Sequence, residues 1–348
     1  MTFSDFKIIT VNSVVKRLVW VMSLSLFLML NVTVAQAADK KIHIKFATLA
    51  PEGSTWMKEM HRLDKEVQEA TGGSVALKFY AGGVSGDEMD VIRKMRIGQI
   101  HAAGFTGVGL GEILPEVRVL DLPFLFENDR QVEHIYEAMD DYFSKKFAEK
   151  GYVLLGWVPV GWVHFFSKYE IRTIDDLKKT KSWMWEGDPL AQEAYSVLNV
   201  KPFPLSVTDV LMSLQTGMID TVYTSPVGAL ALQWFSKVNY MSGIRMGNST
   251  GAVLMTKEQY ERVPPENRKQ VLDISRRILK DLIRKTQDEN AKSIDAMMKS
   301  GLRPAALPVV SEVEKFHQAG ASIRQNLTGK LFSKELLDKV LSHLKEVR

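Results

Sequence analysis

The sequence predicts a two-lobed α/β protein with strands that cross between the lobes and a long helix near the C-terminus. Segments with strand and helix periodicity alternate from Lys41 onward, and a second group of the same kind begins near residue 161. Residues 264–300 carry one continuous helical pattern. The roughly 310 residues after position 37 exceed what a single core usually organises, which favours two lobes.

The first 37 residues are predicted to be a signal peptide. Lys16 and Arg17 precede the apolar run Leu18–Leu30, and Ala35–Ala37 supplies a small-residue cleavage pattern. The alternative, an uncleaved membrane anchor, is less favoured because a helix needs about 20 apolar residues to span a bilayer and this run is shorter. We therefore expect an exported, periplasmic protein that begins near Ala38.

Residues 38–160 are predicted to form most of the first lobe. Strand and helix patterns alternate here, as they do in parallel sheets whose strands are connected by helices. In chain order the sequence predicts a strand at Lys41–Leu49, a helix capped by Ser54, a strand at Val75–Tyr80, a helix at Asp87–Ile97 and a strand at His101–Phe105.

Residues 161–245 are predicted to form the second lobe, again from short strands and helices. Residues 246–263, with a strand at Gly251–Thr256, are expected to return to the first lobe. Residues 264–348 are expected to hold the long helix across both lobes and a C-terminal helical segment. Such a chain crosses between lobes several times, which suits a hinge and a cleft that closes on a ligand.

Several kinds of chemistry have no support in the sequence. The chain has no cysteine, so cysteine metal sites and thiol nucleophiles are excluded, and its seven histidines form no pair at metal-ligand spacing. The glycine-rich stretch Gly104–Gly111 lacks dinucleotide and phosphate-loop spacing. The net charge of +4 is spread without long basic runs. We therefore predict no cofactor, no metal and no nucleic-acid partner; an enzyme stays open only as an alternative without a catalytic constellation.

Tryptophans cluster near the predicted hinge. Trp183 and Trp185 share one side of a strand by the two-residue period, and the turn Glu186–Pro189 that follows should face the cleft. A single aromatic residue on a strand is more often part of the core than of a binding site. As a group, however, these residues predict an aromatic wall in the cleft.

Ordered motifs along the chain resemble the substrate-binding proteins of tripartite ATP-independent periplasmic (TRAP) transporters, the DctP-like group. The resemblance covers essentially the whole mature chain and implies a Venus-flytrap receptor that passes its ligand to TRAP membrane subunits, without catalysis or cofactor. The strongest motifs are Val119–Phe126 and Ser213–Asp220; Thr71–Gly73, Ala81–Gly83, Arg96–Ile100 and Thr173–Lys178 support them.

The chain departs from the family pattern where the resemblance places ligand-binding residues. Members usually carry an arginine that bridges a ligand carboxylate at the position matched here by Trp183, and often a second one where Val163 follows Trp162. Tyr223-Thr224 stands where the family often has Glu-Asn. Because an indole cannot form a bidentate bridge to a carboxylate, we predict a larger ligand that is apolar or aromatic.

The predicted ligand-contacting residues are mostly aromatic. Alternatives left open are a quaternary ammonium ligand in an aromatic cage, a conventional organic acid held by another basic residue such as Arg93 or Arg172, and a receptor that serves another transporter or a sensor. The predicted set is Trp56, Phe105, Thr106, Trp162, Trp183, Trp185, Tyr223 and Thr224.

Overall fold

The computed structural model describes residues 41–347, so the predicted signal peptide and its cleavage site lie outside the described residues. Across residues 41–347, none of the helices combines the length and apolar character needed to span a bilayer. The strands are β1 (Ile42–Ala47), β2 (Val75–Tyr80), β3 (Ala102–Thr106), β4 (Tyr152–Trp157), β5 (Gly161–Ser167), β6 (Trp183–Trp185), β7 (Phe203–Leu205), β8 (Thr221–Thr224), β9 (Tyr240–Met241), β10 (Gly247–Ser249), β11 (Gly251–Thr256) and β12 (Arg303–Pro304).

The helices cover the faces and edges of the sheets. Besides them, short 3-10 helices occupy Pro115–Asp121, Val207–Asp209 and Trp234–Lys237. The α-helices are α1 (Thr55–Ala70), α2 (Glu88–Arg96), α3 (Gly107–Ile113), α4 (Asp129–Glu149), α5 (Ile174–Lys178), α6 (Pro189–Val197), α7 (Val210–Thr216), α8 (Pro226–Ala231), α9 (Lys257–Arg262), α10 (Pro265–Lys299), α11 (Val310–Leu327) and α12 (Lys334–Lys345).

A five-stranded sheet in the order β2-β1-β3-β11-β4 forms the centre of what we call the first lobe. β1 pairs in parallel with β2 and β3, as expected for strands connected by helices, whereas β11 is antiparallel to both β3 and β4. The short run of buried residues in β11, at Gly251–Met255, reflects its central position in the sheet.

The second lobe is built from β5–β10 and β12. β5 is antiparallel to β8, β9 and β10, and β6 pairs in parallel with β7. An isolated bridge between Ser182 and Thr221 connects β6 to β8. The carboxyl ends of β6 and β8 therefore point toward the same edge of the lobe.

Two neighbouring segments of chain connect the lobes. Val158 N donates to Gly251 O at 2.7 Å and Val160 N donates to Ser249 O at 2.8 Å, so the β4–β5 and β10–β11 crossings lie side by side. These paired extended segments form a short hinge, in which few residues have to absorb a change in the angle between the lobes.

The long helix α10 packs on both lobes. A Cβ at Gly156 in β4 would lie 2.9 Å from Leu279 Cδ1, so glycine allows close approach of the helix to the first sheet. Further along, Asn290 Nδ2 donates to Val160 O at 2.9 Å. Met297 is buried in the apolar core of the second lobe, among residues that include Phe166. The predicted fold class, two α/β lobes with a long C-terminal helix, is confirmed.

Candidate functional site

A cleft lies between the lobes at the carboxyl ends of their strands. It holds a cavity of about 310 Å³, within the range of small-molecule sites. Residues after β1 and at the end of β3 line one side, and residues of β6 and β8 line the other. Its aromatic lining consists of Trp56, Phe105, Phe165, Trp183, Trp185, Tyr195, Tyr223 and Trp234.

The aromatic wall of the cleft is centred on Trp183. Its ring stacks on Tyr223 with centroids 4.9 Å apart and planes 24° apart, and Trp234 meets it edge-on at 5.2 Å. Trp185 lies at 5.9 Å. Trp183 is only 1% exposed, so it belongs to the second-lobe core and to the cleft wall at once.

The indole nitrogens of Trp183 and Trp185 and the hydroxyl oxygen of Tyr223 already have partners within the protein. Trp183 Nε1 donates to Leu205 O at 3.0 Å, and the hydroxyl of Tyr223 accepts from Trp185 N at 3.2 Å. Trp185 Nε1 donates to both carboxylate oxygens of Asp87, each at 3.2 Å. The wall therefore offers a ligand mainly apolar ring surface.

Asp87 connects the two lobes through hydrogen bonds. It lies at the start of α2 in the first lobe, yet it accepts hydrogen bonds from Trp185 Nε1, Ser206 Oγ (2.6 Å) and Val207 N (3.0 Å) in the second. The Asp87 side chain is buried. A buried carboxylate with three donors from the opposite lobe favours the closed arrangement.

Asp87→Ala is expected to shift the protein toward an open arrangement, because three donors of the second lobe lose their acceptor. Small-angle scattering should give a larger radius of gyration, and acrylamide should quench tryptophan fluorescence more strongly. Asn128→Ala is the control: it removes the cap of α4, whose side chain accepts from Gln131 N, and among the described residues Asn128 forms no hydrogen bond to the other lobe. Scattering and quenching equal to those of this control would contradict the prediction.

Arg118 is a cleft residue that the sequence reasoning did not find. It lies in the 3-10 helix of the first lobe and is buried. Its Nη2 lies 3.0 Å from both carboxylate oxygens of Asp188, and its Nε lies 3.3 Å from Asp121 Oδ2. Gly111 makes room for it, since a Cβ there would lie 2.7 Å from Arg118 Cδ.

The charge of Arg118 is held by these two carboxylates. Burial opposes the charged guanidinium, but Asp188 and Asp121 outweigh that cost and raise the pKa of Arg118 overall. Burial likewise raises the pKa of Asp121, against the opposing effect of Arg118. The only sequence signal was an arginine within the apolar run Val117–Leu120, a pattern that indicates a buried, paired cation.

Glu88 binds the junction between β3 and α3. Its carboxylate accepts from Thr106 N at 2.7 Å, Thr106 Oγ1 at 3.0 Å and Gly109 N at 2.7 Å. Burial raises the pKa of Glu88 to about 7, although these hydrogen bonds oppose the shift. The hydroxyl of Thr106 is therefore already used within the protein.

Glu88 is expected to make the protein less stable as pH rises from about 4.5 to about 7. Its pKa is higher in the folded than in the unfolded state, so its stabilising contribution is complete below the unfolded value and lost as pH passes the folded one. The loss is on the order of 3 kcal/mol at most. Urea unfolding between about pH 5 and pH 8 should show a flatter profile for Glu88→Gln than for the natural chain. Parallel profiles would contradict this assignment.

Four buried polar atoms of cleft-lining residues have no hydrogen-bond partner among the described residues. Arg118 Nε and Asp121 Oδ2 form the 3.3 Å ion pair described above. The other two are Trp56 Nε1, a donor, and Asn248 Oδ1, an acceptor. A Cβ at Gly104 would lie 2.5 Å from Trp56 Cζ2, so this glycine lets the indole lie flat against β3. Buried polar groups normally have partners, so these two atoms are candidates to orient a ligand.

The cleft contains most of the residues that the sequence predicted. Trp162 lies outside its lining: Trp162 Nε1 donates to Asp129 at 2.7 Å, and its ring faces Arg245 at 5.4 Å. Arg93 and Arg172 are exposed and lie outside the lining too. The predicted residues that do line the cleft are Trp56, Phe105, Thr106, Trp183, Trp185, Tyr223 and Thr224.

The fold and the interlobe cleft agree with a match at family level. The model of bacterial extracellular solute-binding proteins, family 7 (DctP), matches residues 46–328. The chain belongs to this family. The TRAP-receptor resemblance inferred from the sequence motifs is thereby confirmed, and proteins of this family are solute-binding receptors rather than enzymes.

Three relatives of this DctP-family protein align with more than half of the chain, at low sequence identity. A solute-binding protein of Verminephrobacter eiseniae is 23% identical over 315 residues, 89% of this chain and 90% of the relative. The ectoine/5-hydroxyectoine-binding protein UehA of Ruegeria pomeroyi is 25% identical over 205 residues, 56% of this chain and 58% of UehA. The structure of DctPAm from Advenella mimigardefordensis, a sugar acid-binding protein in complex with galactonate, superposes with a TM-score of 0.82 at 18% identity, covering 89% of this chain and 99% of that one.

Proposed function

We propose that this protein is the periplasmic receptor of a TRAP transporter and that it captures an uncharged small molecule with a large apolar or aromatic part. Its relatives bind different small molecules, since UehA is named for ectoine and DctPAm holds galactonate. Family membership therefore supports a receptor for a small organic ligand, and the ligand class has to be argued from this cleft.

The observation that carries the proposal is the charge balance of the cleft. Arg118 is the only lysine or arginine among the described residues that line it, and Asp188 and Asp121 already hold its charge. Glu88 and Glu289 add further carboxyl groups to the lining. A ligand carboxylate would meet Asp188 and Asp121, and the described lining offers no cation beyond the Arg118 they already pair with, which is strongly unfavourable in a buried site.

The aromatic wall supports the same ligand class. The resemblance in sequence motifs places Trp183 where family members usually carry the arginine that binds a ligand carboxylate, and its N–H already donates to Leu205 O. An apolar or aromatic ligand would gain from burial against Trp183, Trp185 and Tyr223. We propose that Trp56 Nε1, Asn248 Oδ1 and Thr224 Oγ1 supply the few polar contacts that fix its orientation.

Native mass spectrometry of the protein purified from its own periplasm tests the ligand class. We expect a bound neutral compound that is extracted into organic solvent and released unchanged after prolonged incubation. A small polar acid would contradict the proposed ligand class but not the receptor role. A chemically converted product would contradict the receptor role itself.

The TRAP partnership needs its own test. We expect uptake of the extracted compound into cells that carry the matching TRAP membrane subunits only when this protein is present. Collapse of the ion gradient should abolish that uptake, whereas depletion of ATP at constant gradient should not. Uptake that follows ATP instead would identify another type of transporter.

A conventional organic acid is the second candidate, because Arg118 places one guanidinium at the cleft. An acid that used Arg118 Nη2 would have to displace Asp188 from it. Asp188→Asn removes the competing charge, so this candidate predicts a clear gain in affinity for galactonate in a calorimetric titration. Our main proposal predicts no galactonate binding by either the natural chain or the variant.

A further inference from the structure

Two helices that are distant in sequence bring two histidines and a glutamate together on the outside of the first lobe. His134 lies in the first turns of α4, His343 lies in the last turn of α12, and Glu346 follows that helix. One donor atom from each residue lies within 4.8 Å of those of the other two. The group lies outside the residues that line the cleft.

The individual contacts already approach the geometry of a metal site. His134 Nε2 lies 3.2 Å from Glu346 Oε2, and His343 Nδ1 lies 3.1 Å from Glu346 Oε1. Ligand atoms of a tetrahedral zinc ion, at bond lengths of about 2.0–2.2 Å, are about 3.4 Å from one another. Small side-chain rotations, without movement of either helix, would therefore suffice to place all three donors around one ion.

The three residues are accessible to an ion from solvent, and the packing beneath them holds them in place before an ion binds. The side chains of His134 and His343 are 28% and 27% exposed, and that of Glu346 is 54% exposed. Below them, Leu337, Val340 and Leu344 of α12 are buried in the same apolar core as residues of α4. This packing fixes the spacing of the two helices, so an ion would find its ligands nearly in place.

We propose that His134, His343 and Glu346 form a binding site for a divalent transition-metal ion such as Zn²⁺. Two imidazole nitrogens and one carboxylate oxygen are ligands that zinc, nickel and copper prefer, whereas Ca²⁺ and Mg²⁺ favour sites made of oxygen alone. Three protein ligands leave a fourth position for water. A bound ion would connect the end of the C-terminal helix to α4 and make that end less prone to fray.

Another histidine–glutamate pair gives a matched control. His61 Nε2 lies 3.2 Å from Glu52 Oε2, the same distance as between His134 and Glu346, and both partners are exposed. Within the described chain, no second imidazole joins this pair in a group of metal ligands. His61→Ala therefore removes a surface histidine–glutamate contact without touching the proposed site.

Calorimetric titration of the protein with ZnCl₂ tests the proposal, using protein purified without a histidine tag and treated with EDTA. We expect one ion per chain, with binding weakened at least about tenfold by His134→Ala and by His343→Ala but unchanged by His61→Ala. Glu346→Gln, at an exposed position, should weaken binding with no loss of folding. Saturating Zn²⁺ should also raise the melting temperature by about 3 °C or more, and EDTA should reverse this.

Three outcomes would contradict the proposed metal site or its metal class. Absence of stoichiometric zinc binding would overturn the proposal, as would binding that His134→Ala and His343→Ala leave as strong as in the His61→Ala protein. Displacement of zinc by millimolar Ca²⁺ or Mg²⁺ would overturn the assignment of the metal class. None of these results would bear on the ligand of the cleft.

Discussion

Replacing Arg118 with methionine is expected to lower the free energy of unfolding at neutral pH by about 3–5 kcal/mol. Methionine fills a similar volume, so packing is largely kept, but Asp188 and Asp121 lose the cation that holds their charge. Breaking a buried ion pair by removing one partner leaves an uncompensated charge in a medium that solvates it poorly. The penalty should shrink as pH falls, because the unpaired carboxyls can then take up protons.

Urea unfolding followed by circular dichroism measures this effect. The matched control is Arg276→Met, which removes an arginine whose Nη2 lies 3.4 Å from Asp140 at a half-exposed surface site. Exposed pairs of this kind contribute at most about 1 kcal/mol. Equal losses of stability in the two variants would show that the Arg118 cluster contributes no more than an exposed ion pair. Arg118→Met combined with Asp188→Asn should recover part of the lost stability, because the second substitution removes one of the two unpaired carboxylates.

Trp183→Ala is expected to have the largest effect on ligand binding. The ring is 1% exposed and contacts Tyr223, Trp185 and Trp234, so its removal opens a cavity in the second-lobe core as well as in the cleft wall. We expect a loss of about 3–5 kcal/mol in unfolding free energy. Affinity for the extracted ligand should fall at least about 30-fold, the loss typical of a central aromatic contact.

Stability and binding can be separated with two companion variants. Trp183→Phe keeps an apolar ring and should cost less stability, while it still removes part of the flat surface that a ligand would cover. Trp162→Ala deletes a tryptophan of the same hinge region that lies outside the cleft, and we expect it to leave ligand affinity nearly unchanged. If Trp183→Phe and Trp162→Ala bind ligand equally well, Trp183 does not contact it.

Local patterns in the sequence predicted much of the fold, because they reflect which side chains of one strand or helix share a buried face. β2 at Val75–Tyr80 and β11 at Gly251–Thr256 have the predicted bounds, and α10 differs from its predicted end by one residue. Strand alternation and helical periodicity depend only on which side chains share a face, so neighbours in sequence suffice to reveal them. The same two-residue period placed Trp183 and Trp185 together on the cleft wall.

Contacts between residues distant in the chain could not be predicted in this way. Arg118 and Asp188 are 70 positions apart, and Asp87 and Val207 are 120 apart; neither pair leaves a local signature. Trp162 resembled the other tryptophans near the hinge in sequence, but its indole N–H donates to Asp129 at the start of α4.

The sequence by itself determined the fold class, the family and the two tryptophans of the cleft wall, because each depends on local periodicity or on the order of motifs. Only the tertiary structure decided which charges meet in the cleft and which indole lies outside it. It also brought together His134 and His343, which the spacing of histidines along the chain did not suggest. These contacts depend on how the lobes and helices pack. Packing brings together side chains that are far apart in the sequence, so spacing along the chain does not reveal them.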